Sequence, residues 1–197
     1  MNVLNAGYVN LVESMGGDYS VIRNARLCWR SKSKGEESDR RLIKHLLNAG
    51  HMTPFESMIF TFSVKAPIFV TRQWMRHRIG TFAEESLRHC TPEPDYYEPE
   101  NLRGIMGKSA WMWNNTIGIA LETYRDCVNS GMPKEQARAI LPTALYTRFY
   151  WTVNGSSLKN FLRLRSDKHA QTEIRAYAEA IRHLVKFVAP VTFGEVE

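Results

Sequence analysis

Two short runs fix the interior of this chain before any other feature is considered. In the first, Met58, Phe60, Phe62 and Val64 alternate with Ile59, Thr61 and Ser63. In the second, Phe149, Trp151 and Val153 alternate with Tyr150 and Thr152. A period of two sends successive side chains to opposite faces of a pleated strand. Both runs therefore predict strands, and Pro67 ends the first. Helical patterns surround them, but strands and helices do not alternate strictly, and no glycine-rich phosphate loop follows a strand. That pattern predicts an α+β fold rather than a doubly wound parallel sheet.

The remaining elements follow from periodicity and punctuation. Residues 3–11 read as one or two short strands with a turn at Asn5-Ala6-Gly7. Asp18 is a candidate cap for a helix through Val21, Ala25, Leu27 and Trp29, and Ser38 for a second helix stopped by Gly50. The charged segment 31–37 between them reads as a surface loop. Thr53-Pro54 is a natural helix start, and a helix from Ile68 leads toward Arg72. Residues 91–107, rich in Pro, Tyr and Gly, read as an irregular excursion. A long helix over 109–130 carries Trp113, Ile117, Leu121, Tyr124 and Val128 at helical spacing, a stripe expected to be core. A further helix holds Ala137 to Leu141 before Pro142. Ser156 or Ser157 caps the next, through Leu158, Phe161 and Leu162. The last helix has the clearest face (Ile174, Tyr177, Ala178, Ile181, Leu184, Val185, Val188), closed by Pro190.

Composition narrows the partners. The chain has 197 residues, with 26 Lys+Arg against 20 Asp+Glu, so 26 − 20 gives a formal charge of +6. That excess suits anionic ligands. The three cysteines (Cys28, Cys90, Cys127) form no C-x-x-C pair, so neither a zinc site nor a disulfide scaffold is indicated, and a reducing, cytoplasmic setting fits. Cys90 reads as a half-buried structural thiol. No apolar run approaches the roughly 20 residues of a membrane span.

Three polar groups fall on elements that otherwise read as buried. One is His51-x-Thr53-Pro54-Phe55-Glu56. Another is Gln73 through Arg88, within a stretch that begins at Arg72 and holds four arginines, His77, Glu84, Glu85 and Ser86. Helical spacing predicts Arg72 and Arg76 on one face with Gln73 beside them. The third comprises Arg138, Asn154, Asn160, Arg165, His169 and Gln171. There Arg138 sits between alanines, a poor place for an unpartnered cation, and Arg165 and His169 share a face if helical. Arginine forks recognise phosphate bidentately, so the three groups together point to an anionic, planar ligand.

Arg76-His77-Arg78, seven further residues and then Ser86 match the R-H-R-x(7)-S signature of the flavin-dependent thymidylate synthases (ThyX). The segments His51 to Glu56, Ala66-Pro67 to Trp74, Ala137-Arg138 to Pro142, and Asn154 to Gln171 resemble that family too, in order over nearly the whole chain. The resemblance implies a single ThyX-like α+β domain over 1–197, its central mixed or antiparallel sheet flanked by helices. It also implies a homotetramer whose sites are shared between subunits. The implied reaction methylates dUMP at uracil C5, with carbon from methylene-tetrahydrofolate and hydride from FAD reduced by NADPH. No metal, membrane or nucleic acid is implied.

By resemblance, Thr53, Arg76, His77, Arg78, Glu84, Asn154, Asn160 and His169 hold FAD. Gln73, Arg76, Glu84, Glu85, Ser86, Arg88, Arg138 and Arg165 form the dUMP site. Arg165, His51 and Ser86 are the implied catalytic positions. A fixed cation at Arg165, beside the uracil N3/O2 edge, favours charge developing on the ring. His51 either stacks on the folate pterin or merely caps a helix. Ser86 reads as a ligand hydroxyl, since a nucleophile needs an adjacent base.

The chain departs from the family pattern at Thr81 and Ala83 (commonly Ser and Asn), at His89 (commonly Tyr) and at Ser156 (often Arg). Two other readings draw on such features. One is flavin-dependent hydroxymethylation of a pyrimidine nucleotide. The other is a non-catalytic nucleotide- or RNA-binding relative using exposed Tyr96 and Tyr97.

Overall fold

The computed structural model describes residues 1–99 and 108–194. Strands β1 (Asn2–Val3), β2 (Gly7–Met15), β3 (Ile59–Pro67), β4 (Thr81–Glu84) and β5 (Tyr146–Asn154) form one sheet in the order β1-β2-β3-β5-β4. Every pairing is antiparallel, so of the two sheet types expected only the antiparallel one is found. The helices are α1 (Asp18–Leu27), α2 (Glu36–Asn48), α3 (Ile68–Trp74), α4 (Lys108–Asn129), α5 (Lys134–Ala137), α6 (Gly155–Arg165), α7 (Thr172–Val185) and α8 (Pro190–Phe193). Short 3₁₀ turns span Thr53–Ser57 and Arg138–Ile140.

The two alternating runs are neighbours, with Phe60 opposite Val153, Phe62 opposite Trp151 and Val64 opposite Phe149. All six side chains are buried. Phe62 stacks on Trp151 at 5.7 Å between ring centroids, and Phe82 of β4 stacks on its other side at 6.1 Å. Cross-strand aromatic pairs of this kind contribute roughly 0.2–1 kcal/mol each. Strand β4 was not expected, because Gly80-Thr81 reads as a turn. Gly80 permits its close approach: a Cβ there would lie 2.9 Å from Trp151 Nε1 and 3.0 Å from the Thr152 carbonyl oxygen. Helix α7 covers the sheet with Ile174, Tyr177, Ala178, Ile181 and Val185, all buried.

Several expected ends move. Asp18 is the first residue of α1 rather than its cap; its carboxylate accepts from the Val191 and Thr192 backbone N–H groups and the Thr192 hydroxyl, tying α1 to α8. Ser38 lies inside α2, which starts at Glu36. Asn154, not Ser156 or Ser157, caps α6, its Oδ1 accepting from Ser157 N–H at 2.8 Å. Helix α7 ends at Val185, and Pro190 opens α8. The segment expected as a helix from Ala137 to Leu141 is the end of α5 and a 3₁₀ turn.

The α4 stripe is only partly core. Ile117, Leu121 and Tyr124 are buried, Ile117 and Leu121 in a small cluster with Ala144 and Leu145, but Trp113 is exposed, as are Trp111 and Ile119 beside the stripe. Of the irregular excursion expected over 91–107, residues 91–99 carry one bridge, Tyr96 to Leu145, and 100–107 lie outside the described residues. Tyr96 and Tyr97 are half-buried rather than exposed, and Tyr97 donates to Glu173 at 2.7 Å. Cys90 is exposed, against expectation.

Candidate active site

Trp74, at the end of α3, positions the central cluster. Its ring is fully buried, packed edge-on against Phe149, Trp151 and Tyr177 and tilted on Phe161 at 5.1 Å. The helix stops there: Met75 N–H bonds back to Thr71, and His77 N–H to Trp74 at 3.0 Å. Arg72 and Arg76 therefore do not share a helix face. Arg76, His77 and Arg78 instead project from a turn nailed to the core.

Helix α6 supplies the opposing wall. Gly155 lets it start close against the 3₁₀ turn, since a Cβ would come within 2.6 Å of the Phe55 carbonyl oxygen. Phe161 and Leu162 face the core, which leaves Asn160, Leu164 and Arg165 toward the turn. The result is an open cleft of about 830 Å³ lined by Met75 to Ile79, Ser156, Ser157, Asn160, Leu164 and Arg165. Three arginines line it and no carboxylate does. Arg165 is held by neutral groups: its Nε donates to His77 Nε2 at 3.0 Å and its Nη2 to the Gln73 carbonyl oxygen at 3.0 Å. Burial, then the adjacent Arg76, lowers its pKa from the ordinary arginine value. Burial, then Arg165, depresses that of His77. Gln73 also donates through its side chain to Gln171.

The structure thus gathers Arg76, His77, Arg78, Asn160 and Arg165 in one cleft, with Gln73 behind them. Its donor set suits a diphosphate-bearing cofactor, because adjacent guanidinium groups without carboxylates are paired by phosphate oxygens. Met75, Ile79 and Leu164 also line the cleft without having been singled out, their only signal being an adjacent arginine, and Ser157 was expected only as a candidate helix cap. Asn154 stands just behind this cleft as the α6 cap.

Other expected residues lie elsewhere. His51 and Thr53 line a second cleft of about 700 Å³ with Asn24, Trp29, His45 and Leu46. His51 N–H closes α2 by bonding Leu46 at 2.9 Å, so its backbone does cap that helix. Trp29 and His45 were not anticipated there; no spacing links them to His51. Glu84 accepts from the Thr147 hydroxyl at 2.9 Å, and Glu85 from Arg148 N–H at 2.9 Å. Ser86 follows at the strand end, where its carbonyl accepts from His89 and Cys90 N–H. Arg88 pairs with Glu135 at 3.1 Å, and Arg138 Nε donates to the Glu135 carbonyl oxygen at 3.3 Å, which brings the two arginines together. Arg138 is exposed, not buried as its alanine neighbours suggested. His169 shares no helix with Arg165, since α6 ends at Arg165. It lies exposed in the next loop, bonded to Asp167 at 2.8 Å.

The family model described as thymidylate synthase complementing protein matches residues 10–191. A flavin-dependent thymidylate synthase from Thermotoga neapolitana is 45% identical over 196 residues, covering 97% of this chain and 91% of that protein. One from Thermus thermophilus is 37% identical over 208 residues, covering 99% and 77%. Among solved structures, the UMP/dUMP methylase PolB from Streptomyces cacaoi bound with 5-Br dUMP superposes with a TM-score of 0.87 at 30% identity, covering 98% of this chain and 95% of that one.

Proposed function

The chain belongs to the flavin-dependent thymidylate synthase family, an enzyme family of methyltransferases, and we propose that it methylates dUMP at uracil C5 with methylene-tetrahydrofolate as carbon donor and NADPH as reductant. The observation that carries this reading is the carboxylate-free arginine cleft of about 830 Å³. In it Arg76 and Arg78 would hold the diphosphate of FAD, with His77 and Asn160 beside them. FAD, when bound, supplies the hydride.

The chain's own residues do the rest. Arg88 and Arg138 take the nucleotide phosphate, with Ser86, Glu84 and Glu85 fixing the loop around it. Arg165 presents a held cation to the pyrimidine. Charge developing on the ring is stabilised there without reorganisation, which raises the nucleophilicity of C5. Thr53 and His51 border the folate end. These groups occupy separate surfaces of one chain. The reading therefore includes a homotetramer that completes each site from several subunits, and the exposed Trp111 and Ile119 on α4 supply apolar surface for such contacts.

The deciding experiment is the mass of the nucleotide product after anaerobic incubation with FAD, NADPH, methylene-tetrahydrofolate and dUMP. A gain of one methyl group is expected. A hydroxymethyl product, or unmodified dUMP with flavin bound and reducible, would overturn the reading.

A further inference from the structure

We propose that His77 is a positioning residue for Arg165: a neutral imidazole, protonated at Nδ1, fixes the guanidinium in the cleft, and protonation of the ring releases it. The inference takes from the reading above what Arg165 does; how Arg165 is held stands on geometry alone.

Arginine offers only donors. Its Nε lies 3.0 Å from His77 Nε2, so that ring nitrogen must present a lone pair. A neutral imidazole carries one proton, which places it on Nδ1. The ring is not free to follow a moving arginine. It packs edge-on against Phe161 at 4.9 Å, and the His77 backbone is bonded to Trp74. The Gln73 carbonyl fixes a second guanidinium nitrogen, Nη2, at 3.0 Å. Two of the three nitrogens are thus held by neutral acceptors, and Nη1 is the arm left for a ligand.

The charged groups facing His77 are Arg76 and Arg78 from its own turn and Arg165 from α6; the lining of the cleft holds no acid. An imidazolium would meet Arg165 donor to donor, inside a cluster of cations. The hold would be lost and replaced by repulsion. Burial and the Arg165 charge already favour the neutral ring.

The test has two parts. Long-range nitrogen–proton spectra of histidine-labelled protein as purified, with His77→Gln identifying the resonance, should show a pyrrole-type Nδ1 and a pyridine-type Nε2 at neutral pH. The titration midpoint should fall below the ordinary value of about 6.5. A protonated Nε2 at neutral pH overturns the proposal whether or not the protein turns over dUMP. Then kcat and KM for dUMP are measured from pH 5 to 8 in wild type, His77→Gln and His77→Leu, with flavin content read by absorbance. Wild-type kcat should fall on the acid side. His77→Gln should lose several-fold in kcat yet lack that acid limb, because an amide oxygen accepts from Arg165 without titrating. His77→Leu should lose at least tenfold more than His77→Gln, in kcat per bound flavin rather than in KM. An acid limb retained in His77→Gln, or a loss in His77→Leu that only tracks lost flavin, overturns it. Wild-type protein that leaves dUMP unmodified sinks the proposed activity instead, and the nitrogen spectrum then decides the tautomer.

Discussion

Asn154 joins the fold to the site, and substituting it separates two roles. Its Oδ1 accepts from Ser157 N–H at 2.8 Å and so satisfies one of the unpaired donors at the start of α6. Asn154→Ala removes that acceptor. Loss of a side-chain N-cap costs about 1 kcal/mol, within a range of about 0.5–2. One kilocalorie changes the folding equilibrium roughly fivefold, and for a chain of this size it lowers Tm by about 2–4 °C. The first turn of α6 carries Ser156 and Ser157 into the cleft, so fraying there also loosens a wall of the proposed flavin site. Asn154→Asp restores an acceptor, and a carboxylate at a helix N-terminus is further favoured by the helix dipole. It removes the amide N–H₂, however, and sets a negative charge beside a site proposed for phosphates. Thermal denaturation and flavin absorbance measured on the same samples should therefore diverge. Asn154→Ala loses Tm and flavin together, whereas Asn154→Asp recovers Tm and stays low in flavin. If Asn154→Asp melts with Asn154→Ala, the cap does not stabilise α6 and the assignment is wrong.

Three further outcomes are expected. Trp74→Ala should cost about 3–5 kcal/mol by opening the aromatic core and abolish flavin retention. Trp74→Phe should cost clearly less in denaturant titration, because it keeps a ring and removes a buried Nε1 that has no partner. His77 titrates below its ordinary value when folded, so on acidification the unfolded chain binds the proton first; stability should be flat above about pH 6.5, fall as pH drops through the window below it, and fall less in His77→Gln when Tm is followed between pH 7.5 and 5.5. Glu135→Gln should tighten dUMP binding by a few-fold in calorimetric titration, because Arg88 no longer gives up a half-exposed ion pair of the kind worth about 0–1 kcal/mol; unchanged or weaker binding would show that Arg88 does not meet the phosphate.

What the sequence revealed was the part governed by local period. The two alternating runs became adjacent strands, and Ile174, Tyr177 and Ile181 became the buried face of α7. Arg76-His77-Arg78 was legible as a cationic cluster but not as a turn, because the first breaker in the sequence is Gly80 whereas α3 already ends at Trp74. Strand β4 was not legible, since Thr81 to Glu84 is short and only Phe82 packs on the core; it is a strand because Trp151 and the free edge of β5 are there to receive it. The caps were misjudged for a related reason. A hydroxyl or carboxylate next to a helical run suggests a local bond, but Asp18 spends its oxygens on a segment more than 170 positions away. Arg138 was misread because Ala-Arg-Ala-Ile was taken as α-helical, whereas a 3₁₀ turn leaves the arginine outside. Nothing in sequence spacing could join His77 to Arg165, 88 positions apart.

That contact also shows how one chain uses its arginines in two ways. Arg26 is paired with Asp39, Arg88 with Glu135 and Arg148 with Glu93. Each of those charges is compensated internally. The arginines of the cleft are not: the ion pairs among the described residues leave out Arg76, Arg78 and Arg165, and no acid lines the cleft. A carboxylate on Arg165 would fix it just as firmly as His77 and Gln73 do, but would neutralise the field it presents. Neutral acceptors fix the direction of a guanidinium and leave its charge intact. A cation that is oriented yet uncompensated is what an anionic ligand, or negative charge developing on a substrate ring, can use. The cost is mutual repulsion among three arginines, which the aromatic packing around Trp74 has to outweigh in the free chain. Site and core are therefore one construction: the side chain that ends α3 in the hydrophobic interior is the one that holds the arginine turn in place.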